Sequence, residues 1–61
     1  MQSVIAQYEI DGWFKYEEWK GTNHELHERA RQKMREGASR CTLITYGGTT
    51  IYHLQGKGIR L

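Results

Sequence analysis

The dipeptide Asp11-Gly12 constrains the fold of this chain more than any other sequence feature. Both residues tolerate the positive φ that a type I′ turn requires, and Asp-Gly between two β-prone runs is a strong hairpin signal. Residues 3–10 alternate apolar and polar side chains, and residues 13–19 are rich in aromatic ones. Such patterns are typical of half-buried strands. The chain is therefore predicted to begin with an antiparallel hairpin.

The register of this first hairpin has two alternatives. A two-residue loop places Lys15 and Glu17 on the apolar side of the returning strand, whereas a three-residue loop with a bulge places Phe14 and Tyr16 there. We favour the bulged loop, which predicts that the two aromatic side chains face the core.

A helix is predicted after Gly21. The run Thr22-Asn23-His24-Glu25 reads as a capping box, in which Thr22 caps the helix and the Glu25 side chain reaches back to the Thr22 amide. The helix is expected to end near Glu36, because Gly37 can supply a left-handed C-cap. Its apolar side chains recur every four residues, at Leu26, Ala30, Met34 and Ala38.

A second hairpin is predicted from residues 41–46 and 49–54, which are β-branched and aromatic runs separated by Gly47-Gly48. Glycine is favoured in the two-residue type I′ and II′ turns of hairpins, because these turns require positive φ. One face of this hairpin would carry Cys41, Leu43, Tyr52 and Leu54. The other would carry Thr42, Ile44, Tyr46, Ile51 and His53.

The fold class predicted from these elements is α+β, with the order ββαββ and one helix packed on one face of an antiparallel sheet. Residues 1–61 are expected to form a single small domain, in which 55–61 are a flexible tail or a short edge strand. Because one helix covers only one side of a four-stranded sheet, the other side is expected at the surface or against a partner.

Composition narrows the function classes. The chain is 38% hydrophobic and 26% charged, with a net charge of +2, so it is too polar for a membrane span and only mildly basic. Its one cysteine, Cys41, cannot form an internal disulfide. We expect a cytoplasmic protein, and because about sixty residues give a marginal core, a homodimer or a bound partner is expected.

Catalytic and metal sites are not indicated by the sequence. The set Cys41, His24, His27 and His53 matches no strong zinc spacing, and a lone strand cysteine is more often a small buried hydrophobe than a nucleophile. Glu17 and Glu18 are adjacent on a strand and so point to opposite faces. We therefore predict a non-enzymatic protein that needs no cofactor or metal.

Aromatic residues are the richest functional signal, because Trp and Tyr dominate interface hot spots. The predicted protein-binding residues are Trp13, Phe14, Ile44, Tyr46 and Ile51. The alternative is a small nucleic-acid-binding module that uses the basic residues of the helix and the C-terminal part of the chain. Those residues are Arg29, Arg31, Lys33, Arg35, Arg40, Lys57 and Arg60.

The tetrapeptide Gly12-Trp13-Phe14-Lys15, with a short first strand, one helix and a C-terminal hairpin, resembles small phage-encoded host-takeover proteins of the antitoxin type. This resemblance covers four residues and the general layout. It implies a phage or mobile-element inhibitor that binds and occludes a host protein without catalysis, and it points to Trp13 and Phe14 as contact residues.

Overall fold

The strands and the helix follow one another in the predicted order. A computed structural model describes residues 1–56 of the 61. It contains the strands β1 (Gln2–Ile10), β2 (Trp13–Gly21), β3 (Arg40–Ile44) and β4 (Thr50–Gln55), with the helix α1 (Asn23–Arg35) between β2 and β3. The predicted α+β class and ββαββ order are confirmed. The prediction of a flexible tail or short edge strand over 55–61 falls mostly on residues 57–61, outside the described part, and Gln55 is the last residue of β4.

The first hairpin turns over two residues. Asp11 and Gly12 have φ values of 54° and 80°, as a type I′ turn requires, and Ile10 pairs directly with Trp13. The prediction of a three-residue loop with a bulge is therefore wrong. Lys15 pairs with Tyr8, so it lies on the core side of the sheet. The turn residues decide this register, and they override the hydrophobic pattern of β2.

The helix begins and ends as predicted. Thr22 Oγ1 accepts a hydrogen bond from the Glu25 amide at 3.1 Å, and Glu25 Oε1 accepts one from the Thr22 amide at 2.9 Å, which completes the capping box. At the other end Gly37 adopts φ 114°, and the Ala38 amide donates to the Lys33 carbonyl at 3.0 Å. This is the Schellman arrangement, in which glycine avoids the strain of a left-handed backbone.

The four strands form one antiparallel sheet in the order β2-β1-β3-β4, and α1 packs on one face of it. Trp19, Leu26 and Leu43 are among the largest fully buried side chains. They come from β2, α1 and β3, so the core forms where the helix crosses the middle of the sheet. The buried core cluster consists of Val4, Ala6, Tyr8, Trp19, Leu26, Ala30, Cys41 and Leu43.

The second hairpin differs from the prediction in two ways. Its loop is Tyr46-Gly47-Gly48, closed by hydrogen bonds from the Gly48 amide to the Thr45 carbonyl and from the Thr45 amide to the Thr49 carbonyl, both 2.9 Å. Gly48 takes φ 92°, so this is a three-residue loop with a glycine bulge. The prediction of a two-residue turn is therefore wrong, and Tyr46 lies in the loop instead of the strand.

The strand β4 also contains an irregularity next to this loop. Leu43 pairs with Tyr52 but Ile44 pairs with Thr50, which leaves Ile51 without a direct partner on β3. The extra residue turns the Ile51 side chain toward the helix side, where it packs against the core cluster. The prediction that Ile51 lies on the uncovered face is therefore wrong. Cys41, Leu43, Tyr52 and Leu54 share the core side as predicted.

Membrane insertion by a helix is not supported in the part of the chain that is described. The helix α1 has 13 residues and is too short and too polar to span a bilayer.

The capping box predicts the effect of Thr22→Ala. This variant removes the acceptor for the Glu25 amide and should lower the free energy of unfolding by about 1 kcal/mol. Urea denaturation followed by circular dichroism at 222 nm measures it. Thr49→Ala, an exposed loop substitution outside the helix, is the matched control and should stay near the wild-type midpoint. Equal midpoints for both variants would contradict the role of Thr22 as the cap.

Candidate interaction surface

The face of the sheet opposite the helix carries aromatic side chains near its β2 edge. Directly paired residues of antiparallel strands point to the same side, and the pairs Phe14 with Glu9 and Tyr16 with Gln7 lie on this face. The side chains of Phe14 and Tyr16 are 51% and 65% exposed. The two-residue turn therefore presents both aromatic residues to solvent, not to the core.

Tyr46 reaches the same face from the loop of the second hairpin. Its hydroxyl donates a hydrogen bond to Glu18 Oε2 on β2, and this carboxylate raises the pKa of Tyr46. Glu18 and Ile44 are the two neighbours of Ile5 across the sheet, so Tyr46 must span the width of β1 to make this contact. The ring remains 60% exposed. The hydrogen bond thus holds an aromatic side chain across the sheet in an accessible position.

We define the open face as the surface formed by the three exposed aromatic residues together with two half-buried isoleucines. The isoleucines, Ile5 on β1 and Ile44 on β3, pair directly with each other and therefore point to the same side of the sheet. The five residues of the open face are Ile5, Phe14, Tyr16, Ile44 and Tyr46.

The charges on this side of the sheet balance. Arg40 Nε lies 3.3 Å from Glu9 Oε1, Glu18 accepts a hydrogen bond from Tyr46, and Lys20 lies two residues beyond Glu18 on the same side. Thr42 Oγ1 and His53 Nδ1 are 2.8 Å apart. Within the described residues 1–56, this side of the sheet therefore carries no excess of either sign, which suits an apolar or neutral contact better than a polyanion.

Trp13 lies at the far end of the first hairpin, on the other side of the sheet. It pairs with Ile10, on the side that α1 covers, but its side chain is 72% exposed. Of the five predicted protein-binding residues, Phe14, Ile44 and Tyr46 share the open face, Trp13 lies at the hairpin end, and Ile51 packs toward the core.

A polar network lies between the helix and the first hairpin. Glu17 accepts two hydrogen bonds, from the Tyr8 hydroxyl at 2.6 Å and from Trp19 Nε1 at 2.8 Å. These donors lower the pKa of Glu17, with Tyr8 contributing most, and the shared bond raises the pKa of Tyr8. The network explains how a carboxylate can occupy the core side of the sheet, since its two oxygens are satisfied by buried aromatic donors.

Two basic helix residues cover these aromatic rings. The guanidinium of Arg29 lies 4.6 Å from the centre of the Trp19 ring, and Lys33 Nζ lies 5.0 Å from that of Tyr8. Such cation–π contacts stabilise the helix on the sheet.

The basic residues proposed for nucleic-acid binding do not form one surface. Arg31 pairs with Glu28 at 3.0 Å and donates to the Tyr52 hydroxyl at 3.0 Å, while Lys33 Nζ lies 3.4 Å from Glu36. Arg29 and Lys33 are also engaged with aromatic rings, Arg40 lies on the opposite side of the sheet, and Arg35 lies in the last turn of α1. Lys57 and Arg60 lie outside the described residues.

The cysteine and the histidines are not brought together. Cys41 is fully buried, and burial raises the pKa of its thiol to about 11. His27 stacks on Tyr52 with ring centres 3.8 Å apart, and His53 contacts Thr42 on the opposite side of the sheet. Among residues 1–56, no three of the Cys, His, Asp and Glu side chains are grouped in a way that could hold a metal ion.

Sequence analysis missed three participants: Tyr16 on the open face, Glu18 as the acceptor for Tyr46, and Glu17 as the centre of the polar network. The signal that could have found them is the Asp-Gly turn. An Asp-Gly turn of type I′ predicts a two-residue loop, and the loop length determines which β2 side chains face the helix.

Comparison with known proteins gives no relative. Neither the protein-family models, nor the curated proteins, nor the solved structures include a match to this chain.

The Glu17 network predicts a pH-dependent contribution to stability. Because the hydrogen bonds from Tyr8 and Trp19 hold the folded-state pKa of Glu17 below its ordinary value of 4.5, the stabilisation is present above about pH 4.5 and is lost as the pH falls through the folded pKa. Glu17→Gln keeps one acceptor oxygen and loses the other, so it should lower the free energy of unfolding by about 1 kcal/mol at neutral pH. This figure is smaller than for a fully buried carboxylate, because solvent reaches the site.

Denaturant midpoints of wild type and Glu17→Gln should converge as the pH is lowered from 7 to 3. Tyr8→Phe is a matched variant, because it removes one donor and keeps the ring, and it should reduce the pH dependence in the same direction. Parallel pH curves for wild type and Glu17→Gln would contradict this account of the network.

Proposed function

We propose that this chain is a non-catalytic protein-interaction module that binds a protein partner through the open face. The observation that carries the proposal is the presence of Phe14, Tyr16 and Tyr46 on a sheet face that the helix does not cover, each with at least half of its side chain exposed. Monomeric proteins rarely expose contiguous apolar surface without a use for it.

The open face is suited to binding because the sheet and one hydrogen bond fix where its aromatic residues lie. Phe14 and Tyr16 project from a paired strand, and the hydroxyl of Tyr46 is held by Glu18. Aromatic residues have few rotatable bonds, so fixing them in a complex costs little conformational entropy. Ile5 and Ile44 fill the space beside them with apolar side chains, which favours a dry interface centre.

The charges favour a protein over a nucleic acid. Four basic residues of the nucleic-acid alternative contact carboxylates or aromatic rings within the chain: Arg29, Arg31, Lys33 and Arg40. Binding a phosphate backbone would have to replace these contacts. A neutral, aromatic surface matches an apolar patch on a protein.

The mode of action that we propose is occlusion of the partner. The Gly12–Lys15 tetrapeptide, through its resemblance to phage host-takeover proteins, supports an inhibitor as the biological form of this activity. Trp13 and Phe14 of that tetrapeptide are both well exposed, so both are available to a partner at the hairpin end.

Two substitutions test the open face. Phe14→Ala and Tyr46→Ala should each weaken partner binding by about 2 kcal/mol, as expected for central interface aromatics, and should change the free energy of unfolding by no more than about 0.5 kcal/mol. Affinity capture from a lysate of the source organism, quantified by mass spectrometry, measures the binding, and a thermal melt measures the stability. His24→Ala, at an exposed position in the first helical turn, is the control.

A salt series distinguishes a protein from a nucleic acid. Binding through several phosphates weakens steeply as salt rises, whereas an aromatic protein interface should weaken far less. If Arg31→Ala and Arg35→Ala abolish capture while Phe14→Ala and Tyr46→Ala leave it unchanged, the open face is not the binding surface.

A further inference from the structure

We propose that two copies of this chain associate through the outer edges of their β2 strands, antiparallel and with the two-fold axis at Tyr16. The product is a continuous eight-stranded sheet with both helices on one side. This inference concerns the edge of the sheet, a different surface from the open face, and it stands or falls separately from the proposed function.

The outer edge of β2 presents unpaired backbone groups. Among residues 1–56, β2 is the first strand in the sheet order and pairs only with β1. In a two-residue type I′ hairpin, the residues that flank the turn, here Ile10 and Trp13, exchange both backbone hydrogen bonds, and the direction then alternates along the strand. The amides and carbonyls of Phe14, Tyr16 and Glu18 therefore point away from β1.

An independent contact supports this alternation. If the even residues of β1 bond to β2, its odd residues must point to the other side, toward β3. The carbonyl of Glu9 does accept a hydrogen bond from the Ser39 amide, immediately before β3, at 2.8 Å.

The side chains of β2 select one register. Antiparallel pairing about an axis perpendicular to the sheet places odd residues opposite odd residues and even opposite even. With the axis at Tyr16, Lys15 of each copy lies opposite Glu17 of the other, so two ion pairs form. The same register places Phe14 opposite Glu18 and Trp13 opposite Trp19 of the second copy.

Neighbouring registers are less favourable. An axis at Lys15 places two lysines directly opposite each other, and an axis at Glu17 or Glu18 does the same with two glutamates. Like charges directly opposite each other destabilise a strand pair. An axis at Trp19 leaves the exposed aromatic end of the strand unpaired. Charge complementarity over residues 13–19 therefore favours the axis at Tyr16.

This register also provides a contact for Trp13, the most exposed of the aromatic residues on β2. Trp13 and Trp19 of the second copy would form a pair without backbone hydrogen bonds, the kind in which side chains approach most closely. Trp19 is buried beneath α1, and Arg29 lies over its ring at 4.6 Å. Trp13 would therefore pack beside the Trp19–Arg29 stack of the other copy.

Pairing in this way would join the two open faces. Because even residues lie opposite even residues, Phe14 and Tyr16 of both copies would lie on the same side of the extended sheet. The aromatic surface would be doubled, and a partner of the open face would meet it as one surface.

A pair of charge substitutions tests the register. Lys15→Glu replaces two attractive Lys-Glu pairs by two Glu-Glu pairs and should weaken dimerisation at least about tenfold. Lys20→Glu makes the same change in net charge but lies beyond the paired segment, and it should change the dimerisation constant by no more than about twofold. Sedimentation equilibrium measures both, with circular dichroism as the check on folding. Equal effects of the two variants, or a monomeric wild type at millimolar concentration, would overturn the proposal.

A backbone substitution tests the edge itself. Tyr16→Pro removes an amide that points to solvent in the monomer, so β2 should still pair with β1. The dimer would lose the two hydrogen bonds at its axis and should not form at concentrations where wild type is dimeric. Tyr16→Ala keeps the amide and controls for the lost ring. Dimerisation of Tyr16→Pro at the level of Tyr16→Ala would exclude edge pairing.

A distance measurement separates this dimer from a face-to-face dimer. In the proposed register the two Lys20 positions are separated by eight strand residues, or about 27 Å. Spin labels on Lys20→Cys, in a chain in which Cys41 is buried and protected, report this distance by double electron–electron resonance. A distribution centred far from that value overturns the register.

Discussion

The structure depends on one constraint: α1 packs on one face of the sheet and is too small to bury the whole of that face. A helix of 13 residues is about 20 Å long and about 10 Å wide, whereas β1 and β2 have nine residues each and extend for about 30 Å. The helix therefore buries the middle of one sheet face and leaves the hairpin end, the outer edge of β2 and the opposite face accessible. The surfaces proposed to bind other molecules lie in these three places.

The polar network around Glu17 shows how the chain accommodates this geometry. The Asp-Gly turn fixes a register that places Lys15 and Glu17 on the side of the helix. The Lys15 position lies beyond the core, and the Glu17 carboxylate is satisfied by Tyr8 and Trp19. A strand with charged side chains on its core side can thus pair stably, and Trp13, Phe14 and Tyr16 are left for other contacts.

Much of the fold could be predicted from the sequence because the signals are local. The capping box, Gly37 and the Asp-Gly turn each act within a few residues, and all three are found where the sequence places them. One error came from a long-range effect and another from a conflict between two local signals. The position of Ile51 depends on an irregularity between β3 and β4, and the side that Phe14 faces depends on whether turn geometry or hydrophobic pattern decides the register.

The candidate site was predicted in part for the same reason. Aromatic composition led to the prediction of a protein-binding surface, and two of the residues named for it, Phe14 and Tyr46, are exposed on the open face. It could not reveal the hydrogen bond between Tyr46 and Glu18, because those residues are 28 positions apart and meet only across the assembled sheet. Nor could composition show that Arg29, Arg31, Lys33 and Arg40 contact carboxylates or aromatic rings within the chain.

We propose that the open outer edge of β2 is where a second copy of the chain binds. Amide hydrogen exchange followed by NMR tests it most directly, because the amides of β2 alternate in direction. At low concentration, the amides of Phe14, Tyr16 and Glu18 should exchange rapidly while those of Lys15 and Glu17 are protected by β1. At high concentration, the first group should become protected. Uniform protection along β2 at every concentration, or alternation in the opposite phase, would contradict the account.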